Sequence, residues 1–298
     1  MTLCLGPLWT VSRRGMVSVV DAPKQVNSLS ELVDHASAAL GPVHAHDPEG
    51  PNECLVRSGE LIVLPADAPT VRKRLRGVYS HEEIATGAIR MYTKAPDRLR
   101  VVDIAREVGA TPNHVHLSCP IMIGTSRPVV GGHIPELLGE GTVALLDTPL
   151  DAPHGALVAG VLRHHGATVR PFPVLTASGF GDDLTLAAAL RATRSLPVVL
   201  VASGTYSFND ECPPVLAATG RNVVAAAGNG GSTRPWWPAA LPAVTAVGAS
   251  AAFSGHGPWV DVVANGVDVP ATVGSTQALC TGTSFAAALH AATLVPVP

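Results

Sequence analysis

Cysteine is sparse and scattered in this sequence. Cys4, Cys54, Cys119, Cys212 and Cys280 stand far apart with no C-x-x-C pair, which excludes a zinc knuckle and a dense disulfide framework as the source of stability. Their odd number favours reduced thiols. Charge is scarce too, at 14% of residues, and the formal net charge of −3 offers no basic excess for nucleic acid. Arginine outnumbers lysine 17 to 3, a bias that points to no function. No apolar stretch approaches the length of a membrane span, so no membrane partner is expected. The opening MTLCLGPLWTV is apolar, but Arg13 and Arg14 follow it where a secretory signal would carry its positive residues in front. The expectation is a cytoplasmic protein if Met1 is the true start, with Met16 as the other possible initiator.

What is present is apolar and ordered. The chain has 298 residues, 47% of them hydrophobic, enough for one large α/β domain or for a domain of about 170 to 180 residues preceded by a smaller one. From Gly141 onward, β-branched apolar runs alternate with alanine-rich helical stretches, the pattern of parallel βαβ units. Strands are expected at 142–147, 168–175, 197–204, 222–228 and 243–249. Helices are expected from His154 to His165, from Asp182 to Arg194 with an aspartate cap, and from Cys212 to Thr219. Residues 50–118 read as a strand ELIVLP, a helix APTVRKRLRGV, a strand IRMYT, a helix VVDIAREVG and an extended PNHVHLS, a small βαββαβ-like unit. Residues 1–49 read as irregular and 119–140, with several glycines and prolines, as a linker before a domain at 141–298.

Active sites of open parallel sheets gather at the carboxyl ends of strands, and four polar residues fall there. Asp147 closes the strand TVALLD, His154 opens the helix after it, Asn229 closes VVAAAGN, and Ser284 follows Gly282 and Thr283 at the start of an apolar helix. An acid, a base, a nucleophile and an amide donor are thus available from distant parts of the chain. Taken alone, each has a plainer reading: a turn aspartate, a helix-start imidazole, a turn former before Gly230 and Gly231, and a serine cap. His164, His165, His256 and His290 lack metal-ligand spacing and read as surface or packing residues. No metal or cofactor is expected.

The wording of these segments resembles the subtilisin-like serine proteases. VALLDT is similar to that family's aspartate strand, HGALVAGV to its histidine helix, VVAAAGNGG to its oxyanion asparagine segment, and GTSFAAA to its nucleophile motif; WWPAALPAVTAVGAS and FSGHGPWVDVVANG resemble two downstream strands. The chain order Asp, His, Ser is the family's own. The resemblance spans Gly141 to Leu294 and implies an α/β fold with a parallel sheet and a serine endopeptidase acting on peptide or protein substrates. Ser284 would be the nucleophile, His154 the base, Asp147 its orienting acid and Asn229 an oxyanion donor. It also implies main-chain substrate contacts along Ala202, Ser203 and Gly204, and a pocket beside Gly228 and Trp237. With no acidic residue in these segments, a pocket for basic side chains is disfavoured and one for an apolar or small side chain is expected. The unit at 50–118 stands where the family carries an α+β propeptide, an intramolecular inhibitor.

The sequence also departs from the family. Only six residues separate Asp147 from His154, where the family usually inserts another strand. Six residues at roughly 3.3 Å each still exceed the ~7 Å that the pair must bridge. Pro149, Ala156, Leu157, Asn265 and Ala288 each replace a residue usual in the family, and only 14 residues follow Ser284. The alternative expectation is therefore a catalytically impaired protein of the same fold, a binding module or a non-functional truncated copy.

Overall fold

The structure is a computed structural model that describes residues 28–85, 87–118, 141–217, 219–220 and 222–295, together with short strands at 9–11, 17–19 and 127–128. Cys4, Cys119 and most of the expected linker 119–140 lie outside the described residues.

The first unit begins earlier than expected. Residues expected to be irregular form a helix, α1 (Leu29–Leu40), and a strand, β1 (Val43–His46). The Ser28 side chain caps α1 by accepting from the Glu31 N–H at 3.2 Å. Leu32 and Ala36, four positions apart, turn inward onto Val43, Leu55, Val115 and Phe180. There follow β2 (Cys54–Val63), α2 (Ala68–Arg74), β3 (Tyr79–Ala85), β4 (Ala88–Thr93), α3 (Val101–Val108) and β5 (Thr111–Ser118). Strand β3 has no counterpart in the sequence reading, because its residues from Ser80 to Ile84 are exposed and carry no apolar alternation.

The second unit comprises β6 (Thr142–Asp147), α4 (Pro153–His164), β7 (Thr168–Pro173), β8 (Phe180–Asp182), α5 (Asp183–Ala192), β9 (Val198–Val201), β10 (Ser203–Gly204), β11 (Val223–Ala226), β12 (Val244–Ala249), β13 (Val262–Ala264), β14 (Val269–Val273), β15 (Thr276–Cys280) and α6 (Thr283–Thr293). Six strands make a parallel sheet in the order β7-β6-β9-β11-β12-β13. The expected strands are all there. The helix expected over Cys212 to Thr219 is not: a single 3-10 turn, Pro214–Leu216, takes its place, since Pro213 and Pro214 both lack the N–H that helix propagation requires.

Val143 to Leu146, Val198 to Val201 and Val223 to Ala226 are buried, as strands covered on both faces must be. Helix α6 packs Phe285 to Ala288 into the same core. Each fully buried leucine, such as Leu145, Leu146 or Leu200, contributes about 1.5–3 kcal/mol relative to exposure.

The units share a second sheet. Strand β5 pairs with β2 on one side, and its end runs between β8 and β10 of the second unit. Leu117 stands opposite both Phe180 and Gly204, and Ser118 opposite Ser203. The first unit thus donates a strand to the edge formed by the expected substrate-contact residues.

Candidate active site

Asp147 ends β6 fully buried, and His154 is the second residue of α4. The imidazole Nδ1 lies 2.8 Å from one carboxylate oxygen of Asp147 and 2.9 Å from the other. The Thr148 N–H donates to the same carboxylate at 2.6 Å. A tight turn, with the Ala152 N–H donating to the Pro149 carbonyl at 3.0 Å, brings the chain back. Pro153 then opens the helix with its φ already helical. The Gly155 N–H donates to Thr148 Oγ1 at 2.8 Å. A side chain at Gly155 would meet the Thr148 carbonyl at 2.5 Å, so the short connection closes only because that residue has none. The six-residue link therefore joins the acid and the imidazole without an intervening strand.

The Nε2 of His154 is buried and has no hydrogen-bond partner among the described residues. Its ring stands 6.0 Å from that of Phe285, the neighbour of Ser284. Ser284, buried at the second position of α6, donates its hydroxyl to the Ala202 carbonyl at 3.4 Å. The Ser284 N–H belongs to the first helical turn, whose donors lack intrahelical acceptors and lie at the positive end of the helix dipole.

Asn229 orients this helix start. Its side-chain oxygen accepts from the Thr283 N–H at 2.9 Å and from Thr283 Oγ1 at 2.8 Å. With the oxygen so engaged, the amide nitrogen turns toward Gly282, where a Cβ would stand 3.3 Å from it. Ala202, Ser203 and Gly204 follow β9 and are buried, with Ser203 and Gly204 paired to β5. Of the tryptophan pair, Trp237 exchanges backbone bonds with Thr205, both at 2.9 Å, while Trp236 faces Gly204 and Gly228.

Burial pushes the thiols of Cys54, Cys212 and Cys280 up to about 12. They stay protonated near neutrality, which leaves them poor nucleophiles. Among the described residues, no group of three or more His, Cys, Asp and Glu side chains is arranged to hold a metal ion, and no helix is long and apolar enough to cross a membrane.

A second carboxylate–imidazole cluster lies where the units meet, and sequence reasoning did not single it out. Asp183, fully buried at the start of α5, holds His114 Nδ1 and His116 Nε2 at 2.8 Å each, and accepts from the His114 N–H at 3.0 Å. Burial raises the Asp183 pKa, but the electrostatic interaction with His114 and the hydrogen bonds from both imidazoles outweigh it and hold the carboxyl below the usual carboxylate range. Beside it, the Asn113 amide donates to Glu60 at 2.9 Å and to Asp182 at 3.2 Å. The only sequence signal was H-V-H on a strand and D-D at a helix start, separated by more than sixty residues.

Comparison with known proteins adds a local likeness. No family model matches the chain. A thermophilic serine proteinase of Bacillus sp. (strain AK1) is 50% identical over 74 residues, which cover 22% of this chain and 18% of that protein. The structure of the prenylagaramide maturation protease PagA is similar at a TM-score of 0.45 and 23% identity, covering 51% of this chain and 72% of that one.

Proposed function

We propose that the chain is a subtilisin-like serine endopeptidase, with the Asp147 carboxylate clasping His154 Nδ1 at 2.8 and 2.9 Å as the observation that carries the reading. That bond directs Nε2 of the imidazole away from the carboxylate as the proton acceptor. In the reaction, Ser284 Oγ releases its proton to His154 Nε2 and forms a bond to the peptide carbonyl carbon. The carbonyl oxygen takes the electron pair and is held by the Asn229 amide and the Ser284 N–H. The imidazolium then protonates the departing amine as the C–N bond breaks; water, deprotonated by the same imidazole, bonds to the acyl carbon, the Ser284 Oγ–C bond breaks, and the imidazolium returns the proton to Oγ. For the first step the Ser284 hydroxyl must leave the Ala202 carbonyl, to which it donates at 3.4 Å, and face His154 Nε2. The local identity to a serine proteinase supports the same reading.

In this reading the first unit is an intramolecular inhibitor. Strand β5 sits between β8 and β10 and uses the backbone groups that an extended substrate would use. The impaired-protein alternative predicts a different outcome in one experiment. A fluorophosphonate probe should label the full chain at Ser284, as mapped by mass spectrometry, and should fail on Ser284→Ala. A folded parent that stays unlabelled after prolonged exposure would remove the catalytic assignment. Cleavage of the parent between Ser118 and Glu140, with Ser284→Ala intact, would show that the chain processes itself; equal cleavage of both would point to another protease.

A further inference from the structure

We propose that Trp236 fills the pocket that receives the substrate side chain next to the scissile bond, so that this site accepts only small residues there, glycine, alanine or serine. The inference rests on the protease reading above and adds the class of substrate to it.

The placement follows from the groups that would hold the acyl residue. Its carbonyl carbon must reach Ser284 Oγ and its carbonyl oxygen the Asn229 amide, while its N–H faces the Ala202 carbonyl, which already accepts from Ser284 Oγ at 3.4 Å. Its side chain then enters the gap between the two segments that carry these groups, residues 202–204 and 228–229. Both segments are bare at that gap, at Gly204 and Gly228. The space they leave is occupied. A Cβ built on Gly204 would fall 2.2 Å from Trp236 Nε1 and 2.6 Å from Cε2, and one built on Gly228 would fall 3.1 Å from Cδ2. The indole therefore lies against both glycine backbones at once.

The ring is also held in place. Trp236 is 5% exposed, and Tyr206 meets it edge-on with centroids 4.7 Å apart. Arg234 lies 4.6 Å over the Tyr206 ring and is itself tied to Asp210 at 2.9 Å, to the Ser207 carbonyl at 3.1 Å and to the Glu53 carbonyl of the first unit at 2.9 Å. The adjacent backbone is fixed by the two Trp237–Thr205 bonds, both 2.9 Å. A large substrate side chain would have to displace a wedged indole, and overpacking of that kind is not absorbed by small shifts.

The test uses the full chain and two peptidyl diphenyl phosphonates that differ only in the side chain at the reacting residue, alanine or phenylalanine. A docked β5 slows both probes alike, so their ratio of labelling rates reports the pocket. The parent should react with the alanine probe at least about 100-fold faster than with the phenylalanine probe, the discrimination expected of a steric mismatch of several carbons. In Trp236→Gly the ratio should invert, and Trp236→Ala, retained in case the glycine variant does not fold, should move in the same direction. Equal labelling of the parent by both probes would overturn the pocket assignment while leaving the protease reading intact. A parent that reacts with a small fluorophosphonate but shows the same ratio as a folded Trp236 variant would do so as well. A folded parent that reacts with no probe at all overturns the protease reading itself, and the pocket with it.

Discussion

Two buried carboxylates in this protein hold imidazoles at the same distance, yet they sit in different surroundings. Asp147 and His154 are 7 positions apart and meet within one strand–turn–helix unit at 2.8 Å. Asp183 meets His114 and His116 at 2.8 Å across 69 and 67 positions, through the pairing of two units. In the first cluster the far ring nitrogen, Nε2, has no partner among the described residues and the histidine retains 12% side-chain exposure. In the second, both histidines and the carboxylate are sealed; His114 Nε2 accepts from the Phe208 N–H at 3.4 Å, while His116 Nδ1, like His154 Nε2, is buried without a partner among the described residues, so residual exposure is what separates the two clusters. A carboxylate–imidazole pair becomes a proton relay only when one ring nitrogen can still face a reactant. Fully enclosed, the same pair is a clasp between two surfaces.

Substitutions at the two carboxylates should therefore part company, and the largest effect belongs to Asp147. Asp147→Asn keeps the shape but removes the charged acceptor, and should lower kcat on a chromogenic peptide by about 10⁴-fold with little change in melting temperature. A loss below tenfold would make the pair structural and erase the distinction. Asp183→Asn should act the other way. Breaking a fully buried ionic cluster costs about 3–5 kcal/mol, to be read from urea unfolding, while fluorophosphonate labelling of the protein that remains folded keeps its rate per docked and undocked molecule. An unfolding free energy unchanged within error would mean that the clasp contributes nothing to holding the units together.

Asn229 sharpens the comparison, because in the proposed mechanism its oxygen holds Thr283 while its amide nitrogen would serve the chemistry. Asn229→Asp retains an oxygen acceptor for Thr283 and loses the amide donor. It should lower kcat about 10²- to 10³-fold and leave melting near that of the parent, whereas Asn229→Ala should reduce both. Equal activity in a folded Asn229→Asp would remove the oxyanion role.

The smallest effect is the pH dependence of the clasp. The Asp183 pKa is lowered in the folded protein, so between that value and the ordinary carboxylate value near 3.9 the unfolded state binds the extra proton. Stability from this group is complete above the unfolded value and is lost as pH falls through the folded one, with a slope of at most about 1.4 kcal/mol per pH unit. Urea unfolding below pH 4 should show this slope in the parent and a flatter one in Asp183→Asn. Parallel slopes would assign the acid sensitivity to other carboxylates.

The parts of the site legible in the sequence were those written locally. The parallel strands appeared as unbroken apolar runs, the Asp182 cap at the start of α5 followed from its side chain, and the strand-end and helix-start positions of Asp147, His154 and Ser284 followed from the order of elements. Local reading failed where packing was not encoded by apolar period. Strand β3 is charged and exposed, α1 was hidden in a segment with no protease-like wording, and two prolines stopped the helix expected after Cys212. Within the tryptophan pair, the sequence pointed to the segment and to Trp237, but which ring faces Gly204 and Gly228 depends on how the segment is turned by its pairing with Thr205.

By itself, then, the sequence determined the alternation of strands and helices, the polar residues at the strand ends and the shortness of the Asp147–His154 connection, because each depends on neighbours within a few residues. Only the tertiary structure decided that β5 runs along β8 and β10, that His114 and His116 close on Asp183, and that Trp236 lies against Gly204 and Gly228. These contacts join segments dozens of residues apart. Strand register, burial and the space left by two glycines select them, and none of those quantities exists until the chain has folded.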